Sequence, residues 1–289
     1  MSGEVALTKT HRDENFPVAS RLIASRHRPV VLAFYYFVRG ADDIADSPVL
    51  RPQEKLDGLD RFEAALLGKR DDIPVARPLR AALEARQLTP RHAQNLLDAF
   101  RMDAVKQRYA NFDELMHYCA FSAAPVGRFV LDVHGESEST WPANDALCSA
   151  LQIINHIQDC GADYRNLDRV YIPLDLLAKD GADVAELGAK SASPALIASL
   201  HHLAARTELL VRKGVELPRQ VRDLRLSLET AVIAQLAQKL VGLLMQRDPL
   251  SERVHLTKPG FLACMLLGAG TGLIERGRRV SAAHAMRDA

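Results

Sequence analysis

Cysteine is scarce in this chain of 289 residues: there are four, and no two of them form a C-x-x-C pair. All four (Cys119, Cys148, Cys160 and Cys264) lie in apolar stretches. Isolated cysteines of this kind are typical of reduced core residues, whereas disulfide frameworks and thiolate metal sites need paired spacings. We therefore predict a cytoplasmic protein that does not bind metal through cysteine.

An excess of charge of either sign is also missing. Lys and Arg number 37, and Asp and Glu number 36, which gives a formal net charge of +1. Because nucleic-acid-binding proteins usually carry a basic excess, we predict no nucleic-acid partner. No G-x-G-x-x-G run follows a strand-like segment, so the sequence gives no indication of an NADPH or flavin site.

No hydrophobic run is long enough for a typical membrane-spanning helix. Residues 1–14 are polar and of mixed charge, which disfavours a secretory signal. Residues 260–274 come nearest to a membrane pattern, but they number 15 and include four glycines. We interpret this segment as a packed C-terminal helix. Peripheral contact with the inner face of a membrane stays open as the alternative.

Alternating strand patterns are missing as well, and only residues 170–173 suggest an extended segment. Helix starts are indicated at Thr89-Pro90, Asp113, Ser193-Pro194 and about residue 223, with a kink or break at Pro125. The Gly, Pro and charged breaks between helices are too short for interdomain linkers. We predict an all-α fold of about ten helices in a single domain, 1–289, with its core at about 14–258 and a helical tail at 259–289.

Two of the most apolar segments carry aspartates four residues apart. The acidic and amide residues are Asp42, Asp43 and Asp46 within residues 30–46, and Asn155, Asp159 and Asp163 within residues 147–163. On a helix such residues share a face, so like charges repel, and burial without a partner costs several times more than exposed repulsion. A hard cation between the two sets would remove this cost. We predict a site for several Mg²⁺ ions, with solvated helix faces as the alternative.

Basic residues stand near both aspartate segments. Arg39 precedes Asp42 by one helical turn, and Arg169 and Arg253 are further candidates for binding a diphosphate. A surface salt bridge or loop packing is the competing interpretation. Mg²⁺ and diphosphate at the mouth of an apolar cavity are what an isoprenoid diphosphate substrate requires, because the hydrocarbon needs apolar walls and the leaving group needs charge stabilisation.

In combination these motifs resemble the head-to-head trans-isoprenyl diphosphate synthases, the family of squalene, dehydrosqualene and phytoene synthases. The matching positions are Glu14-Asn15-Phe16, Tyr35, Arg39, Asp42 to Asp46, Tyr118-Cys119, Asn155 to Asp163, Asp168 to Pro173 and Arg253. The resemblance covers roughly residues 14–258. It implies a helical bundle around a central apolar cavity and an isoprenoid diphosphate as substrate.

The departures from the family pattern narrow the resemblance. Gln158 stands where many squalene and phytoene synthases have arginine, and Leu236 stands where they commonly have tyrosine. The chain is most similar to the hydroxysqualene synthases of bacterial hopanoid synthesis, which share its Glu-Asn-Phe-Pro and Pro-Val-Gly-Arg features. Members of that branch ionise presqualene diphosphate and let water capture the rearranged cation. We expect this reaction. One alternative is an enzyme that condenses two farnesyl diphosphates to presqualene diphosphate, or carries the reaction on to squalene or phytoene. The other is a catalytically silent assembly partner.

The resemblance also implies residue roles. Phe16, Tyr35 and Tyr118 would face the reacting cation, with plain core packing as the alternative for Tyr35. The metal-binding residues would be Asp42, Asp43, Asp46, Asp159 and Asp163, with Asp43 supporting the other aspartates rather than contacting the metal directly. Arg39, Arg169, Arg253 and Asn155 would hold the diphosphate. Contact with other enzymes of the squalene pathway is a further expectation.

Overall fold

The computed structural model describes residues 23–285, apart from the side chains of Thr271 and of residues 273–285. Its α-helices are α1 (Arg28–Ala45), α2 (Pro52–Leu66), α3 (Ala76–Arg86), α4 (Arg91–Val105), α5 (Phe112–Ser122), α6 (Ala124–Val133), α7 (Trp141–Gln158), α8 (Cys160–Leu167), α9 (Leu174–Asp180), α10 (Pro194–Gly214), α11 (Leu217–Gln220), α12 (Leu224–Leu244) and α13 (Lys258–Ala285). Two short 3₁₀ helices span Glu138–Thr140 and Val184–Gly188. The predicted all-α class is confirmed, with more and shorter helices than the sequence indicated.

Local capping chemistry explains several of these boundaries. The Ser193 hydroxyl accepts a hydrogen bond from the amide of Leu196, and the Asp223 carboxylate accepts one from Leu226, so α10 and α12 begin where predicted. The break at Pro125 is confirmed, since α5 ends and α6 begins beside it.

Two boundaries differ from the sequence prediction. Asn111, rather than Asp113, caps α5 by accepting a hydrogen bond from the amide of Glu114. The second aspartate segment is not one continuous helix, because α7 ends at Gln158 and α8 begins at Cys160. Asp159 at the junction has φ −101° and ψ 6°, although backbone hydrogen bonds still run across it.

The core is built on two sets of helices. In the first, α7 packs against α10 and α12 and buries Ile153, Ile154 and Ile157. In the second, α1 packs against α2, α3 and α4. Phe37 is fully buried in this set against Phe62. The placement of α1 beside α4 and α6, and of α6 beside α7, sets the two aspartate segments across one interior space.

Of the segment 170–173 that was predicted to be extended, Val170 makes an isolated parallel bridge with Arg108, and residues 171–173 are irregular. At the C-terminal end, α13 lies along α12, so the predicted helical tail is packed at least over its first half. Within residues 23–285, no helix combines the length and hydropathy needed to cross a bilayer. The division into a single domain stays a prediction.

Candidate active site

Two adjoining cavities lie between the helices. The first, which we call the apolar chamber, has a volume of about 400 Å³ and walls that include Val31, Phe34, Leu147, Leu151 and Ile233. The second, the acidic pocket, has a volume of about 390 Å³ and is lined by aspartates of both segments. Five residues line both cavities: Tyr35, Val38, Val126, Gln152 and Asn155. The predicted arrangement of an apolar cavity with a charged mouth is therefore present.

Four of the predicted aspartates line the acidic pocket. Asp42 and Asp46 come from α1, Asp159 from the junction after α7, and Asp163 from α8. Burial and the nearby carboxyl of Asp46 raise the pKa of Asp42 to about 7, although Arg39 lowers it. Burial, followed by Asp159 and Asp46, raises the pKa of Asp163 to about 7 as well. The two segments thus act on each other electrostatically across the pocket.

Arg39 and Arg169 hold the carboxylates of α1. Arg39 donates from Nη1 to Asp42 Oδ2 at 2.9 Å and from Nη2 to Asp43 Oδ1 at 2.6 Å. Arg169 donates to Asp46 Oδ1 at 2.5 Å and to the carbonyl oxygen of Ala45 at 2.9 Å. Arg169 is only 5% exposed, whereas the Asp46 side chain is 40% exposed, so the pair is half-buried. Asp43 supports Arg39 and is not among the residues that line the pocket.

Sequence reasoning missed a buried carboxylate at the inner wall of the acidic pocket. Asp103 of α4 is 4% exposed and accepts hydrogen bonds from the hydroxyls of Tyr118, at 2.7 Å, and Tyr171, at 2.8 Å. Burial raises the pKa of Asp103 to about 6, although Arg169 and the two hydroxyls lower it. Tyr118, which the resemblance singled out, is therefore positioned by a residue 15 positions earlier. A lone aspartate in an amphipathic helix gave no spacing signal that would have found it.

His156 and Gln152 were missed for the same reason. The His156 ring stacks on Tyr171 with centroids 3.6 Å apart, and Gln152 Nε2 lies 3.1 Å from His156 Nε2. Burial, and then the charge of Arg169, lower the pKa of His156 to about 3, so its imidazole is neutral near pH 7. Neutral polar groups therefore stand beside the aspartates in the pocket wall. Gln152 lines both cavities, and His156 lines the acidic pocket.

The residues of the acidic pocket fit a hard divalent cation. Carboxylate and amide oxygens are the donors that Mg²⁺ takes, and the Oδ1 atom of Asn155 is buried without a hydrogen-bond partner among the described residues. The carboxyls of Asp42 and Asp163 have raised pKa values, as expected where a positive charge would be stabilising. Among the described residues, however, no three His, Cys, Asp or Glu side chains lie together closely enough to form a complete metal site.

The other predicted residues are placed as follows. Tyr35 lies where the two cavities meet. Arg253 lines a separate polar cleft of about 540 Å³, on whose wall Asp159 and Arg165 also lie. Gln158 also lines this cleft, and its amide donates to the carbonyl oxygen of Val254 at 2.5 Å. Phe16 lies outside the described residues.

Comparison with known proteins extends this description. A family model described as squalene/phytoene synthase matches residues 9–259. The chain is 55% identical over 269 residues to a hydroxysqualene synthase of Sinorhizobium fredii, covering 93% of this chain and 91% of that one. It is 53% identical over 275 residues to a hydroxysqualene synthase of Rhodopseudomonas palustris, covering 95% and 94%.

A solved structure agrees with this assignment. The crystal structure of a squalene synthase from Alicyclobacillus acidocaldarius superposes with a TM-score of 0.71 at 28% identity, and covers 81% of this chain and 89% of that one. The sequence match spans both aspartate segments, the Tyr118 helix and Arg253. The chain belongs to the squalene/phytoene synthase family.

Proposed function

We propose that this protein converts presqualene diphosphate and water into hydroxysqualene and diphosphate, with Mg²⁺ as cofactor, in the hopanoid branch of isoprenoid synthesis. The observation that carries the proposal is that the two cavities adjoin: an apolar chamber suited to a hydrocarbon shares five lining residues with a pocket lined by the four predicted aspartates and Asp103. The relatives named as hydroxysqualene synthases, which match more than nine-tenths of the chain, support the choice of reaction.

The acidic pocket would receive the diphosphate. Asp42, Asp46, Asp159 and Asp163, together with Asn155, are the residues that would hold Mg²⁺, which when bound neutralises charge on the departing diphosphate. Arg39 and Arg169 lie on the same pocket wall, already oriented by the aspartates of α1. Because these groups are fixed before the substrate arrives, little reorganisation is needed when the carbon–oxygen bond breaks.

The chamber would protect the cation that remains. Its aliphatic and aromatic walls would exclude bulk water, and the Tyr35 side chain, which lines both cavities, would face the reacting carbons. Tyr118 lines the acidic pocket and donates its hydroxyl hydrogen to Asp103. One admitted water then forms the new carbon–oxygen bond and loses a proton, so the hydrocarbon leaves as an alcohol.

Product analysis in ¹⁸O-labelled water tests the proposal. Without NADPH, the protein with Mg²⁺ is expected to convert presqualene diphosphate into hydroxysqualene carrying one ¹⁸O atom. Asp42→Ala and Asp159→Ala are each expected to lower turnover by roughly 10²–10³-fold, because each removes charge that organises the leaving group. A matched change in an exposed aspartate that does not line the pocket, such as Asp175→Ala, should leave turnover unchanged.

Three results would contradict the proposal. Consumption of farnesyl diphosphate while presqualene diphosphate stays intact would indicate the condensation reaction instead. No turnover of either diphosphate would indicate a silent assembly partner. Full activity of both alanine variants would show that the aspartates do not bind the metal.

A further inference from the structure

One hydroxyl in the wall of the acidic pocket has no hydrogen-bond partner among the described residues. It belongs to Ser122, the last residue of α5, and its Oγ atom is buried. The buried hydroxyls of Thr207 and Thr230, by contrast, each donate to the carbonyl oxygen four residues earlier in their own helix. Because an unbonded buried hydroxyl is unfavourable, an atom of this kind in a pocket wall indicates a bound water or ligand.

Ser122 lies near the place where the acidic pocket meets the apolar chamber. Tyr118, one helical turn before Ser122, lines the acidic pocket but not the chamber, whereas Val126, four residues after it, lines both cavities. In the proposed reaction the diphosphate would occupy the pocket and the hydrocarbon the chamber. The carbon that loses the diphosphate would therefore lie at this boundary, beside Ser122.

A second neutral polar group lines the same boundary. Gln152 of α7 lines both cavities, and α7 packs against α5. Its Nε2 atom lies 3.1 Å from His156 Nε2, which orients the amide in the pocket wall. A bound water needs at least two polar partners, and a serine hydroxyl can both donate to it and accept from it. The hydroxyl of Ser122 and the amide of Gln152 supply such a pair.

We propose that Ser122 positions the water that captures the cation, with Gln152 as the second polar group that this water contacts. The inference rests on the proposed function and names the group that directs the new oxygen. A lone pair of the water forms the carbon–oxygen bond, and the proton lost from the resulting oxonium passes to the diphosphate that has just left. Presqualene diphosphate and water thus give hydroxysqualene and protonated diphosphate, with no oxidant or reductant.

Binding of the diphosphate is the competing role for this hydroxyl. Arg39 and Arg169 already supply the positive charge that a diphosphate requires, and one neutral hydroxyl adds little to them. The two roles also control different steps. A hydroxyl that binds the diphosphate affects how fast the substrate ionises, whereas one that positions water affects what becomes of the cation afterwards.

The ratio of products tests the inference. The unchanged protein, Ser122→Ala and Ser122→Thr are each incubated with presqualene diphosphate and Mg²⁺ in ¹⁸O-labelled water, and both the released diphosphate and the organic products are measured. In Ser122→Ala we expect diphosphate release to stay within about threefold, while the share of labelled hydroxysqualene falls roughly tenfold because the water loses one hydrogen bond. Hydrocarbons formed by proton loss from the same cation should replace the alcohol. Ser122→Thr keeps a hydroxyl and should restore the alcohol.

Ser199→Ala is the matched control. Ser199 of α10 is fully buried and lines neither cavity, and its Oγ atom donates to Asp180 Oδ2 at 3.0 Å. This variant should lower the melting temperature and leave the product ratio unchanged. Ser122→Ala should do the opposite, because its hydroxyl has no protein partner to lose among the described residues.

Two results would overturn this inference while leaving the proposed function in place. In the first, the unchanged protein forms labelled hydroxysqualene and Ser122→Ala forms it in the same proportion. In the second, Ser122→Ala lowers diphosphate release as much as it lowers the alcohol, which would show that the hydroxyl serves ionisation. If the unchanged protein forms no labelled hydroxysqualene from presqualene diphosphate, the proposed function fails and this inference fails with it.

Discussion

The two aspartate segments hold their negative charges in different ways. On α1, Asp42 and Asp43 are within 3 Å of Arg39, and Asp46 is paired with buried Arg169. On α8, Asp163 is surrounded mainly by other carboxyls, and Arg169 acts on it only at longer range. The arginines balance the first segment only in part, because the pKa of Asp42 is still raised to about 7. Asp163 has no ion pair among the described residues, so a bound cation would stabilise it more.

This difference has a general meaning for how such a pocket is built. Residues that are neutralised within the chain support the folded structure, so removing one leaves its partner unbalanced in a buried place. Residues that repel each other lower the stability of the folded, ligand-free protein, and a bound ligand removes the repulsion. Such residues reduce stability because the function requires them. Three substitutions distinguish these cases.

Removing Arg169 should have the largest effect. Arg169→Gln leaves Asp46 without its buried partner and removes the hydrogen bond to the carbonyl oxygen of Ala45. Because the Asp46 side chain is 40% exposed and solvent screens part of its charge, we expect the unfolding free energy to fall by about 1–3 kcal/mol. Urea denaturation measures this free energy. The control is Arg212→Gln, which breaks an exposed pair with Glu208 and should not shift the midpoint. Equal midpoints for both variants would show that the half-buried pair contributes no more than a surface one.

Removing the charge of Asp103 should have an intermediate effect. In Asp103→Asn the amide nitrogen cannot accept a tyrosine hydroxyl, so Tyr118 or Tyr171 loses its acceptor and its orientation. We expect kcat to fall roughly tenfold with little change in KM, because a positioning residue acts mainly on the reacting geometry.

A double-mutant cycle separates positioning from general weakening of the fold. If Asp103 acts through Tyr118, then Asp103→Asn should cost much less activity in a Tyr118→Phe background than in the unchanged protein. Fully additive effects on kcat would show that Asp103 does not act through this hydroxyl.

Removing the charge of Asp163 should have the smallest effect on stability, and in the opposite direction. Asp163→Asn relieves repulsion from Asp159 and Asp46, so the metal-free protein should gain roughly 1 kcal/mol at pH 8 while losing turnover. Because burial, followed by Asp159 and Asp46, raises the pKa of Asp163 from its ordinary value of 3.8 to about 7 in the folded state, the unchanged protein loses stability as pH rises from about 4 to about 7. The gain in melting temperature should therefore shrink as pH falls from 8 towards 4. A lower melting temperature for the variant at pH 8 would contradict the comparison.

The sequence alone determined what is local. The spacing of Arg39, Asp42 and Asp43 places their side chains within one helical turn, so their contacts follow from helix geometry. Pro125 predicted the break between α5 and α6, and Ser193 and Asp223 predicted the starts of α10 and α12. The motif combination identified the family, although it gave no way to see that α7 ends at Gln158.

Only the tertiary structure decided which distant residues meet. Arg169 reaches Asp46 across 123 positions, and Tyr171 reaches Asp103 across 68. It also placed Arg253 on a different cleft from Arg169. The physical reason is that helix geometry sets distances only over a turn or two, whereas distances between helices depend on how their buried faces pack.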